Sequence, residues 1–218
     1  MLESLWPPST LRITVRSATT GVNLVALMDE HLADVCTINI ADIYGDEVPD
    51  HAFPWIFHTS PIVGMQFRWA NRSNMKPNDW SFDLVVLDEH TGEFLGTVDM
   101  RATDFATTRC IETGSWVLHK FQGQGYGTLI RRGICEYGFS ALGAKIMRSG
   151  WGKTNVASAR VSAKLGYQVV EEIQIPLGPE SQLAPGVRAE LARSQYRPDP
   201  AVTVEITGHT PELHALLV

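Results

Sequence analysis

The sequence has no long apolar run. None of its stretches approaches the ~20 residues a membrane helix needs, so no membrane-spanning segment is expected. The opening "MLESLWPPST" carries neither the basic nor the apolar segment of a secretory leader. Blocks of Lys and Arg are missing too. With 18 basic against 24 acidic residues the formal net charge is −6. That argues against a nucleic-acid partner and is compatible with a cationic substrate. Cysteine is scarce: Cys36, Cys110 and Cys135 are widely spaced and no CxxC occurs. Neither a disulfide framework nor a zinc site is suggested; buried thiols in a reducing, cytoplasmic setting are expected. The seven histidines form no HxxxH or HxH pair, so no metal is expected.

What is present is a chain of 218 residues, 44% of them hydrophobic, with no repeat and nothing that marks a domain boundary. One domain over 1–218 is expected, large enough to bury its own core. "LRITVRS" (11–17) alternates apolar and polar residues and reads as a strand. Residues 23–43 carry apolar positions at spacings of 3 and 4, which predicts mostly helix. Pro49 and Pro54 make 44–60 an aromatic-rich loop, and Ser60 is placed to cap a helix from Pro61 to about Asn71. Three strands follow, at 80–88, 94–101 and 111–119, the first two joined by the turn "EHTGE". Ile130, Ile134, Tyr137 and Ala141 mark one face of a helix between Gly125 and Gly143. A strand at 144–151 precedes a helix capped by Asn155 and stopped by Gly166. A strand at 167–175, a loop "PLGPESQLAPG", a strand at 187–196 and a short strand candidate "VTVEI" complete the chain. The order is mixed α/β, with an antiparallel front half and a strand–helix–strand crossover behind it.

The stretch "QGQGYG" (122–127) joins a strand to a helix. The first helical turn leaves N–H groups unpaired, and the helix dipole favours an anion there. This is not a P-loop, because "GYGT" lacks the lysine. Nor is it the dinucleotide fingerprint: Gly123 and Gly125 fit, but Thr128 stands at the third position. Taken alone, the glycines suit a tight turn as well as a phosphate cradle.

"Q-x-x-G-x-G" at Gln122, Gly125 and Gly127, "N-x-x-S-x-R-V-x-x-K-L-G-Y" from Asn155 to Tyr167, and "ETGSW" before the loop together resemble the GNAT N-acyltransferase superfamily in its Rim-type branch. The linked motifs span about 111–170. The resemblance implies a mixed, mostly antiparallel twisted sheet of about seven strands flanked by about four helices. It implies an acyl-CoA-binding core at about 80–175 and a C-terminal extension at about 198–218. The co-substrate is then acetyl-CoA or succinyl-CoA, the acceptor is a small amine or a protein N-terminus, and a homodimer is common in the branch. In such proteins the strand before the loop splays from its neighbour at a bulge, and its freed main chain binds pantetheine. Carried over, Trp116, Val117 and Leu118 supply those groups. Gln122, Gly123, Gln124, Gly125, Tyr126, Gly127 and Thr128 hold the pyrophosphate, and Asn155, Ser158 and Arg160 make further contacts.

Glu112 stands at the family's carboxylate position. Strand alternation puts it on one face with Gly114, Trp116 and Leu118. It is read as the base that takes the amine's proton; the plainer alternative is an exposed strand glutamate. Many members place a tyrosine acid seven residues after the asparagine. Here that residue is Ser162, which leaves Ser158 to protonate the leaving thiolate or simply to serve the helix backbone. Tyr167 reads as core packing. The acceptor pocket is expected from Phe53, Trp55, Phe57, Trp69 and Trp116, with Asp99 and Asp104 holding a cationic amine. The alternative is a coenzyme-A-binding sensor that no longer catalyses. A nicotinamide enzyme is disfavoured by the failed fingerprint.

Overall fold

A computed structural model describes residues 5–58 and 60–218. The first four residues of the leader reading, and Thr59 in the aromatic loop, lie outside them. The chain opens with β1 (Arg12–Arg16) and β2 (Gly21–Ala26). Four helices follow: α1 (Leu32–Cys36), α2 (Ile40–Tyr44), α3 (Trp55–His58) and α4 (Pro61–Ser73). Next come β3 (Trp80–Asp88), β4 (Phe94–Ala102), the short α5 (Phe105–Thr108) and β5 (Cys110–Val117). The rear half is α6 (Tyr126–Glu136), β6 (Ile146–Gly152), α7 (Val156–Leu165), β7 (Gln168–Leu177) and β8 (Gln182–Ala192). It ends in β9 (Thr203–Thr207) and α8 (Pro211–Leu217).

All nine strands join one sheet in the order β7-β8-β6-β5-β4-β3-β2-β1-β9. Every neighbouring pair is antiparallel except β5 and β6, the crossover through α6. One face packs Ile13, Val15, Leu24, Leu84, Val98 and Ile111 under Ile130 and Ile134 of α6, all of them buried. Gly133 permits that contact: a Cβ there would lie 2.6 Å from Val15 Cγ2. The other face carries a smaller cluster of Leu27, Leu32, Val35, Cys36 and Val85 beneath α1 and α4.

The sheet is larger than expected by two strands. Residues 21–26 form β2, not the start of a helix; Val22, Leu24 and Ala26 are buried alternately, a period of two that the longer 3–4 spacing of the segment obscured. "VTVEI" becomes β9, which pairs with β1 and covers that sheet edge. The loop at 176–186 is shorter than read, because β8 already begins at Gln182. Pro185 fits within β8 because the β6 ladder ends at Gly152–Gly186; on that side its carbonyl accepts from Lys153 N–H at 3.0 Å, and no N–H of its own is called for. The helix read as reaching Gly143 stops at Glu136 and passes into a π-helical turn over Tyr137–Ala141.

Candidate active site

Strand β5 is held on one edge and released on the other. With β4 it pairs continuously, from Gly96–Val117 to Arg101–Glu112. With β6 it pairs only from Cys110–Ile146 to Glu112–Arg148, and then the strands part. A hydrogen bond from Thr113 Oγ1 to Arg148 O, at 3.2 Å, ties them at the point of divergence. No register shift falls in β5. The irregularities lie between β3 and β4 at Val86/Leu87 and between β7 and β8 at Val169/Glu171, so the gap arises without the bulge expected in this strand.

The Leu118 N–H donates to Leu95 O at 2.8 Å, which sets the phase of the ladder. Antiparallel alternation then turns the main-chain groups of Gly114 and Trp116 toward β4, and those of Ser115 and Val117 toward the gap. Leu118 has both of its groups engaged, since its carbonyl accepts from Phe121 N–H at 2.9 Å. Of the trio expected from sequence, Val117 faces the gap; its partner there is Ser115 rather than Trp116 or Leu118.

Beyond β5 the chain turns through Gln122–Gly125 into α6. Gly123 and Gly125 have φ of 75° and 94°, and a Cβ at either would meet nothing within 4 Å. Their glycines answer to backbone angle, not crowding. Among the described residues, no hydrogen bond is donated to a protein acceptor by the N–H of Gly123, Gln124, Gly125, Tyr126 or Gly127. Thr128 N–H is engaged by Gly125 O at 3.0 Å. The open N–H groups gather at the start of an eleven-residue helix, where an anion is favoured. The side chains of this loop brace it. Gln122 Nε2 donates to Ile43 O at 2.7 Å and Val117 O at 2.8 Å, and Gln124 Nε2 donates to Lys120 O at 2.9 Å. Tyr126 is buried, with its hydroxyl on Asp88 Oδ2 at 3.1 Å, so only its main chain faces the loop's concave side.

Helix α7 flanks the gap's far side. Asn155 Oδ1 caps it by accepting from Ser158 N–H at 2.9 Å. Ser158 is half-buried and its hydroxyl makes no hydrogen bond among the described residues, whereas Ser162 is 1% exposed with its hydroxyl unpartnered inside the protein. Arg160 is exposed. Tyr167 is core: its hydroxyl lies 3.3 Å from Cys135 Sγ, Arg131 stacks 5.6 Å from its ring centre, and burial pushes its pKa up.

On the face opposite α6, charged side chains line up across strands. Glu190 of β8, Arg148 of β6, Glu112 of β5 and Arg101 of β4 share one row. Asp83 of β3, Asp99 of β4 and Gly114 share the next. Arg148 is paired to Glu190 through Nε and Nη2 at 2.9 and 2.7 Å. Arg68 and Asn71 of α4 each donate to Asp83 at 2.8 Å. Arg101 Nε donates to Asp99 Oδ2 at 2.7 Å. Glu112, exposed, makes no ion pair or hydrogen bond among the described residues. Burial pushes the Asp99 carboxyl above the usual carboxylate range; Arg101 opposes this and Asp83 adds to it. A Cβ on Gly114 would sit 2.8 Å from Asp99 Oδ1 and 3.5 Å from Arg101 Nη2, so both groups lie over that glycine.

Farther along the same face, Trp116 meets Phe94 at 5.8 Å and Trp55 at 6.3 Å between ring centres. Trp55 belongs to a strap, residues 45–58, that crosses above the face. Its middle is held by Phe53 N–H on Tyr44 Oη at 3.0 Å and by Gly178 N–H on Ala52 O at 2.9 Å, and its far end by His58 against Pro179 O. Phe53 and Phe57 are half-buried in this strap. Asp104 and Trp69 stand apart from the row. Asp104 is exposed in a left-handed turn with its N–H on Asp79, and the Trp69 indole donates to Asp29 at 3.2 Å. Sequence reasoning missed Asp83, Phe94, Arg101 and Arg148; only the strand register, which pairs distant residues, reveals them. No metal-binding group of three or more His, Cys, Asp or Glu exists among the described residues, and no helix there is long and apolar enough to cross a membrane.

The chain as a whole matches known proteins. The family model of the acetyltransferase (GNAT) domain covers residues 22–168. Mycobacterium smegmatis RimJ in complex with CoA-disulfide shares the fold at a TM-score of 0.72 and 16% identity, over 89% of this chain and 93% of that one. RimL, a ribosomal α-N-protein acetyltransferase in complex with coenzyme A, aligns at 0.67 and 12%, over 82% and 97%. Vibrio cholerae spermidine N-acetyltransferase in complex with CoA and spermine aligns at 0.63 and 15%, over 80% and 97%. The chain belongs to the GNAT acetyltransferases and is an acyl-CoA-dependent acyltransferase.

Proposed function

We propose that the protein moves an acetyl group from acetyl-CoA to a primary amine by direct attack within a ternary complex. One observation carries this reading: the released edge of β5, open at Ser115, lies between the open N–H groups of the loop and Glu112, whose carboxylate makes no ion pair or hydrogen bond among the described residues. The pyrophosphate lies on the N–H groups of 123–127, and the pantetheine extends the sheet beside Val117 and Ser115. A gap-facing N–H then meets the thioester carbonyl and stabilises the oxyanion, a contribution of about 3 kcal/mol. An alkylammonium of pKa about 10 must lose a proton before it attacks. Glu112 carries that proton to water, and Ser158 returns one to the departing thiolate.

The charge near Gly114 favours a neutral acyl group and a cationic acceptor. Arg101 is tied to Asp99, Arg148 to Glu190 and Arg68 to Asp83, which leaves Glu112 as the uncompensated charge. A succinyl carboxylate would find each of these cations already paired. The acceptor enters under the strap, past Trp55 and Trp116, and is a small amine or a protein N-terminus, the two acceptor kinds that the neighbours' names describe. A cytoplasmic setting suits a reaction that draws on acyl-CoA in a protein whose cysteines are free thiols.

Thiol release is the test, with acetyl-CoA or succinyl-CoA and a panel of primary amines. Acetyl-CoA is expected to be the better donor. Glu112→Gln is expected to lower kcat on the order of tenfold, because water partly replaces an exposed base. Tight acetyl-CoA binding without turnover across the panel would instead identify a coenzyme-A sensor.

A further inference from the structure

On the acyltransferase reading, we infer that Asp99 is the catalytic carboxylate that touches the acceptor amine, with Glu112 passing the proton on to solvent. The placement is specific. β5 and β6 stop pairing after Glu112, so Gly114 is the next residue on that face where the gap opens. The Asp99 carboxylate lies directly over Gly114, as the 2.8 Å approach to its missing Cβ shows. Ser115, whose main chain faces the gap, follows immediately. A thioester anchored there has Asp99 on its acceptor side. Glu112 lies two residues back along the strand, roughly 7 Å away.

The charged surroundings order the two carboxylates. Asp99 is held by Arg101 and faces Asp83, itself neutralised by Arg68. Its side chain is 25% exposed. Glu112 is exposed, and Arg101 stands opposite it in register. Arg101 is therefore ion-paired with the inner carboxylate, while the outer one stands beside it without an ion pair. Burial raises the proton affinity of the inner group. That suits a group which must accept a proton from an ammonium at neutral pH.

The protons balance. One leaves the ammonium for Asp99, passes to Glu112 and reaches water. The freed amine forms the C–N bond, and collapse of the adduct breaks the C–S bond. A second proton moves from the adduct nitrogen to the thiolate, giving amide and free thiol.

A series of primary amines tests this, from alkylamines of pKa about 10 to alkoxyamines of pKa about 5, each with acetyl-CoA. For Asp99→Asn, kcat with alkylamines should fall about 100-fold, with the KM for acetyl-CoA unchanged. The defect should shrink below about tenfold for amines already neutral at the assay pH, which a purely structural role would not produce. Asp99→Glu keeps the charge and should retain alkylamine turnover within about tenfold of wild type; this variant decides the matter where Asp99→Asn does not fold. A defect equal across the series, or none, overturns the assignment of Asp99 alone. Failure of the wild-type protein to acetylate any amine overturns it together with the acyltransferase reading.

Discussion

β5 has two neighbours and treats them in opposite ways. Toward β4 it is sealed, with Gly96 packed so closely that a Cβ would lie 2.2 Å from Trp116 O and 2.9 Å from Val117 Cα. Toward β6 it lets go after three residues, Cys110–Glu112. The sealed edge belongs to the part of the sheet that lies under α6, where the buried side chains gather. The released edge carries main-chain groups that a folded protein ordinarily pairs. One strand thus shows both what a sheet does for stability and what main chain it leaves open where the ladder stops.

Breaking the sealed edge should have the largest effect. In Gly96→Val the new side chain meets main-chain atoms that cannot move aside, so a loss of about 4 kcal/mol or outright failure to fold is expected in denaturant titration. The same change on the released side should separate binding from folding. In Gly125→Val nothing crowds the added atoms, and the strain of the left-handed backbone is about 1–3 kcal/mol. The fold should persist, but the reoriented N–H groups should weaken coenzyme A binding about 30-fold by calorimetry, or about 2 kcal/mol. An unchanged Kd would mean that the anion does not rest on this loop.

The sequence is most legible where local rules act alone. "EHTGE" closes the β3–β4 hairpin, Ser60 caps α4 through Val63 N–H at 3.3 Å, and Asn155 and Gly166 bound α7. β2 was obscured because its short alternation sits inside a longer helical spacing, and β8 because Pro185 reads as a breaker until it is known that the β6 ladder ends beside it at Gly186. The glycine loop and Glu112 were visible as motifs. The charged face opposite α6 was visible only in part, because its logic is cross-strand. Asp99, Arg101, Gly114 and Glu112 form one cluster by register between β4 and β5, and no spacing along the chain announces it. Asp104, five residues beyond Asp99, looked equivalent in sequence yet falls past the end of β4 in a separate turn.

The smallest expected effect sharpens the contrast between groups that face the gap and groups that face the core. Ser158 and Ser162 lie one helical turn apart on α7, four residues being close to one full repeat. Ser162 is enclosed, and its unpartnered hydroxyl is a cost to stability. Ser162→Ala should therefore leave turnover unchanged and raise stability by about 0.5–1 kcal/mol, a few degrees in Tm. Ser158 stands in the first turn, half-buried, with its N–H held by Asn155 and its hydroxyl uncommitted. A thiolate departs readily without help, so Ser158→Ala should lower kcat only about threefold and leave Tm within a degree or so. If Ser162→Ala instead lowers kcat while Ser158→Ala does not, the departing sulphur lies deeper along α7 than the opening between β5 and β6 places it.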